Sequence, residues 1–181
     1  PLGVAALDYV FDKDPDVLAL TESSIDLPDG GGYVLPACAS PEKWYRVDER
    51  KVVLWSRSPW HGTGTMSENG VPDDRVVWGT TETPLGPLRV LGLCIPWHMA
   101  GTRYVEPKRK PWEVHLEFLD ALGALLRTTP FDVIAGDFNQ LRPRTAGSKG
   151  AEVKLLKVLA GYPLATDRPL TGCERPAGVD H

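Results

Sequence analysis

The chain has 181 residues, the size of one ordinary domain, and it is read as a single unit over 1–181. Its 42% hydrophobic and 24% charged content excludes wholesale disorder, while 18 Gly and 17 Pro mark it as rich in loops. A net charge of -4 argues against a non-specific nucleic-acid coat, and no apolar run approaches the ~18 residues of a membrane span.

In chain order, Val4, Leu7, Val10 and Phe11 recur at helical spacing, and Asp14-Pro15 ends that helix. Asp16 to Leu20 reads as a short buried strand with Glu22 just beyond it. Asp29 to Gly32 is a turn. Lys51 to Arg57 and Arg75 to Thr83 are strands, and the Gly-rich stretch between them, His61-Gly62-Thr63-Gly64 included, is expected to be a flexible loop. Leu88 to Ile95 is a strand entered through Pro84-Leu85-Gly86-Pro87. Pro111 opens a helix in its first turn, where a missing N–H costs nothing, and that helix carries a wide apolar stripe to Thr128. Phe131 to Ala135 is a buried strand, Ser148 to Leu159 a second helix, and the tail from Thr166 is irregular. Strands alternating with helices indicate an α/β fold.

Three cysteines, Cys38, Cys94 and Cys173, are too few and too scattered for a disulfide framework. That cysteine usage makes a reducing, cytoplasmic compartment the expectation, and no basic-then-apolar leader is visible.

Two apolar strands run directly into an acid, Glu22 in one and Asp137 in the other. Ligand sites of α/β sheets form at the carboxyl ends of strands. Two such carboxylates can meet on Mg²⁺, which takes few protein oxygens and keeps its waters. Asn139, two positions after Asp137, falls on the same side if directions alternate, with Phe138 turned inward. A carboxylate and an amide together can orient a water against a phosphoryl group.

On these residues the sequence resembles the endonuclease/exonuclease/phosphatase superfamily, the DNase I-like proteins. The resemblance rests on Gly136-Asp137-Phe138-Asn139 after a strand, Leu18-Ala19-Leu20-Thr21-Glu22, Leu54-Trp55-Ser56-Arg57-Ser58-Pro59, the strand ending Cys94-Ile95-Pro96-Trp97, and the helix with Trp112 and His115. It implies a two-sheet α/β sandwich with helices outside, and Mg²⁺- or Mn²⁺-dependent hydrolysis of a phosphate-bearing substrate, nucleic acid among the candidates. It implies that Glu22 binds metal, that Asp137 orients or deprotonates the attacking water, and that Asn139 partners it at the metal and phosphate. The family's closing Asp-His corresponds to Asp180-His181. Either His181 is the catalytic histidine, or the pair matches an earlier segment in which Asp180 orients a histidine lying further on. The short separation from Asp137 favours the second. The chain is then expected to be a fragment, lacking a strand before Pro1 and a strand pair after His181. The family's His or Tyr facing the phosphate is Cys94 here, a poor donor.

The rival reading is a binding module that keeps the fold and lacks turnover. A P-loop is excluded because no Lys-Ser/Thr follows His61 to Gly64, and no G-x-S-x-G elbow occurs. Zinc held by Cys94 and His98 lacks further ligands. Arg103, Lys108, Arg109, Lys110, Arg142 and Arg144 form either a solvated face or a phosphate track. Trp55 and Trp78 are expected in the core, and Trp60 and Trp97 at a sheet margin, buried rather than offered to a base.

Overall fold

A computed structural model describes residues 2–26, 31–42, 45–65, 72–103, 107–140 and 148–165. Ten elements follow in order: α1 (Leu2–Phe11), β1 (Val17–Ser24), β2 (Tyr33–Pro36), β3 (Glu49–Ser56), β4 (His61–Thr65), β5 (Val76–Thr83), β6 (Gly86–Cys94), α2 (Glu113–Thr128), β7 (Val133–Asp137) and α3 (Lys149–Val158). The strands form two sheets, ordered β1-β3-β2 and β4-β5-β6-β7. All pairings are antiparallel except β6 with β7, which is parallel and is joined through α2. The expected two-sheet α/β sandwich with outer helices is the architecture observed. Among the described residues, no helix is long and apolar enough to cross a membrane.

Strand alternation sorts the core into two layers. Val77, Val90 and Cys94 face the first sheet and pack with Val52 and Leu54 of β3. Val76, Leu91, Leu93 and Ile95 face the other way, onto Phe118, Leu119, Leu122 and Leu125 of α2 and Leu155 of α3. On the far side of the first sheet, Phe11 of α1 sets its ring edge-to-face on Trp55, with centroids 5.0 Å apart. Gly92 lies between the sheets. A Cβ there would stand 2.8 Å from Val52 and 2.9 Å from Leu54, so glycine permits the close approach.

Three expectations change. His61 to Gly64 is not a loop but part of β4, an edge strand in which Gly64 leaves room for the ring of Trp78. β1 and β7 are half-exposed rather than fully buried, because each is the last strand of its sheet. β7 also starts two residues later than expected and runs through Gly136 to Asp137; Phe131 is buried just ahead of it. The turn at Asp29-Gly30, the cations Arg142 and Arg144, and the pair Asp180-His181 lie outside the described residues.

A buried histidine binds three segments around the end of the second sheet. His115 of α2 is 0% exposed. Its Nδ1 lies 2.7 Å from the carbonyl oxygen of Pro96, which can only accept, so Nδ1 carries the proton. Nε2 then accepts from Gln140 Nε2 at 2.7 Å, and the other hydrogen of that amide reaches Ala151 O at 3.1 Å. The loop after β6, the loop after β7 and the first turn of α3 are thereby held together.

Two variants test this framework. Gly136 has φ +135°, and a Cβ on it would fall 1.9 Å from Leu93 O, a backbone atom that cannot turn away. Gly136→Ala should therefore cost about 3 kcal/mol or more in a urea melt. Burial holds the His115 pKa below the usual range; the Pro96 bond opposes that shift and His98 adds to it. The neutral ring is the folded form. The stability it contributes is complete above about pH 6.5 and is lost as pH falls through the depressed value. Between pH 7.5 and pH 5 the wild type should lose more thermal stability than His115→Gln, whose amide cannot titrate.

Candidate active site

The site stands at the ends of β1, β6 and β7. Cys94 and Asp137 are register partners across the parallel pair, and Ile95 N–H donates to Asp137 O at 2.8 Å, extending the ladder by one bond. Asp137 is half-buried. Both of its carboxylate oxygens accept from Asn139: Oδ1 from the backbone N–H at 2.7 Å and Oδ2 from Nδ2 at 2.9 Å. The second Nδ2 hydrogen goes to Ile95 O at 2.7 Å. This compact turn needs φ +50° at Asn139, a left-handed conformation that asparagine tolerates better than most residues. Phe138 packs on the helix-side core, so the alternation expected for Asp137, Phe138 and Asn139 is the one observed.

Glu22 comes from the first sheet. The β1–β3 ladder pairs Thr21 with Val52 and Ser23 with Arg50, and between them Glu22 takes φ +50°. For a glutamate inside a strand that is a strained conformation. Its side chain is exposed, and Tyr45 Oη donates to Oε1 at 2.9 Å. Burial and the Glu22 carboxylate raise the Tyr45 phenol above its ordinary pKa, which keeps it a donor.

Cys94, the register partner of Asp137, is 3% exposed. Burial pushes its thiol up to about 11; Arg75 opposes the shift, and Asp137 and Glu22 add to it. The sulfur is thus a protonated packing group at neutral pH and a poor nucleophile. Arg75 Nη1 donates to Cys94 O at 3.2 Å. Behind it, Lys51 is 2% exposed and pairs with Asp74 at 2.7 Å and Glu42 at 2.8 Å. Its Nζ also lies 5.3 Å from the centre of the Tyr45 ring.

Glu22, Asp137 and Asn139 are therefore brought to one end of the sandwich, as the sequence suggested. Tyr45 and the Lys51 network were not foreseen. Tyr45 lies 23 positions from Glu22, with no motif around it. Among the described residues no three His, Cys, Asp or Glu groups gather closely enough to enclose a metal, the Cys94–His98 pair included. Trp97 departs from expectation: it is 52% exposed and not buried at a sheet margin.

No family model and no curated protein matches the chain. Solved structures do match it. An AP endonuclease from Archaeoglobus fulgidus aligns with a TM-score of 0.61 at 15% identity, over 84% of this chain and 63% of its own. The endonuclease domain of TRAS1, a telomere-specific non-LTR retrotransposon, aligns at 0.56 and 13% identity, over 88% and 65%. A variant of beta toxin from Staphylococcus aureus with bound magnesium ions aligns at 0.57 and 15%, over 86% and 61%. The chain spans a little under two thirds of each neighbour's length. Identities this low establish the fold and nothing finer: the chain has the DNase I-like endonuclease/exonuclease/phosphatase fold.

Proposed function

We propose that this chain forms the catalytic core of a divalent-metal-dependent phosphoester hydrolase, acting on a phosphodiester such as nucleic acid or on a phosphate monoester. One observation carries the reading: Asp137 is immobilised through both oxygens by Asn139 at the end of β7, on the same end of the sandwich as Glu22.

In this reading Asp137 accepts a proton from the attacking water and aims the lone pair at phosphorus. Asn139 fixes the direction of that carboxylate and, through Ile95 O, its distance from the β6 loop. Glu22, held by Tyr45, offers an exposed carboxylate to Mg²⁺ or Mn²⁺ together with Asp137, and the oxygen-only donor set fits a hard cation. When bound, that cation neutralises phosphoryl charge and lowers the pKa of a coordinated water. Cys94 supplies neither charge nor a good hydrogen bond. The phosphate contact made elsewhere in the superfamily from this position must come from another group. Asp180 is assigned as the acid that orients a catalytic histidine, with His181 as its neighbour in the chain.

The burial and protonation of Cys94 favour a second reading, a binding module without turnover. Hydrolysis assays on plasmid, abasic duplex, and small phosphate mono- and diesters separate the two. Asp137→Asn should lower kcat by about 10²- to 10⁴-fold with an unchanged melt. An active enzyme indifferent to EDTA and to this substitution would dispose of the mechanism, and a folded protein inactive on every substrate would leave the binding module. Tyr45→Phe should raise the Mg²⁺ concentration for half-maximal activity by about tenfold while sparing kcat at saturating metal, because partners of metal ligands set affinity on that scale. An unchanged metal titration would remove Glu22 and Tyr45 from the metal site.

A further inference from the structure

We propose that the exposed indole of Trp97 is a stacking platform for a nucleobase at the rim of the site, so that the substrate is a nucleic acid presenting an unstacked base. The proposal rests on the phosphoester-hydrolase reading for its purpose, though not for its test.

Trp97 is placed by the site itself. Cys94 is in register with Asp137, Ile95 O accepts from Asn139, and Pro96 O is held by His115; Trp97 is the next residue. From the buried His115 a chain of aromatic contacts leads outward to it. Trp112 meets His115 edge-on with centroids 5.0 Å apart. His98 lies tilted over Trp112 at 5.5 Å. Trp97 meets His98 edge-on at 5.3 Å. The innermost ring of this series is sealed and the outermost is open to water.

The series is built at a cost. Trp112 has φ +70°, a genuine outlier for a bulky side chain. It stands at the N-cap of α2 without a side-chain capping bond. That conformation puts its N–H on His98 O at 2.6 Å and its ring between the two histidines. Strain maintained next to a site points to function. Here its product is the Trp112 ring fixed against His98, the residue whose ring Trp97 meets edge-on.

Charge favours a nucleic acid as the occupant. Arg103, Lys108 and Lys110, in the same connection, are exposed, whereas Arg109 is bound up with Glu113 and Glu117. Aromatic faces among cations are how single-stranded nucleic acids are held without sequence preference. Among the described residues of this loop, Met99 and Ala100 beside Trp97 are half-buried, which leaves little apolar surface next to the indole for a membrane.

The test is binding in EDTA, where hydrolysis is silenced. Fluorescence anisotropy of a short labelled single-stranded oligonucleotide is compared for wild type, Trp97→Ala and Trp97→Phe. A strand of equal length and charge with every base removed and vesicles of phosphatidylcholine with phosphatidylserine serve as the other arms. Trp97→Ala should weaken binding of the base-bearing strand about tenfold or more. Trp97→Phe should recover most of that loss, and the baseless strand should not distinguish the variants. Equal binding by wild type and Trp97→Ala overturns the platform, as does an equal loss on both strands. Loss of vesicle binding alone makes Trp97 a membrane contact and also overturns it. Base-dependent binding without hydrolysis in the separate substrate panel keeps the platform and removes the hydrolase reading.

Discussion

The side-chain amide of Asn139 gives one hydrogen to Asp137 and the other to Ile95 O, while its backbone N–H takes the remaining oxygen of Asp137. A carboxylate at a strand end normally swings between rotamers and between waters. Here two bonds within a two-residue span leave it one position. The bond to Ile95 O ties that position to the loop leaving the neighbouring strand. His115 and Gln140 then brace the same two loops from beneath, in a packed interior where the histidine cannot shift without uncovering its partners. The orientation of one acid is thus maintained by α2, α3, β6 and β7 together.

Strain is concentrated at the same end of the molecule. Glu22, Asn139 and Trp112 all hold positive φ angles, though only the asparagine is suited to one. Each such residue costs about 1–3 kcal/mol and persists only where its surroundings overdetermine it. For Glu22 the surroundings are the β1–β3 ladder on both sides and the Tyr45 hydroxyl above. For Trp112 they are the rings of two histidines and a short bond to His98 O.

The elements legible from sequence were those whose periodicity reports burial. β6 and α2 carry the shared core, and their apolar patterns were read within two residues of their ends. The Gly136-Asp137-Phe138-Asn139 turn was legible because its chemistry is local. β4 was not, since Gly62 and Gly64 deprive it of any strand-like pattern, and what makes it a strand is its pairing with β5 and the ring of Trp78 beneath Gly64. β1 and β7 were read as fully buried because composition registers hydrophobicity and not position in a sheet. The Tyr45–Glu22 and Lys51–Asp74 pairs each join residues 23 positions apart, and no spacing rule announces such contacts. His115 was read only as a member of the apolar stripe of α2, and its two partners come from loops distant in sequence.

Glu22 and Asp137 belong to different sheets, and no hydrogen bond joins them. The gap between the two carboxylates is therefore set by how far apart the layers stand, and that is fixed where Gly92 lets Val52 and Leu54 close in. Interior volume acts here as a calliper. A methyl group added or removed at that contact would change the distance between the two carboxylates. Selection on the hydrophobic filling of this sandwich is thus also selection on the chemistry at its end.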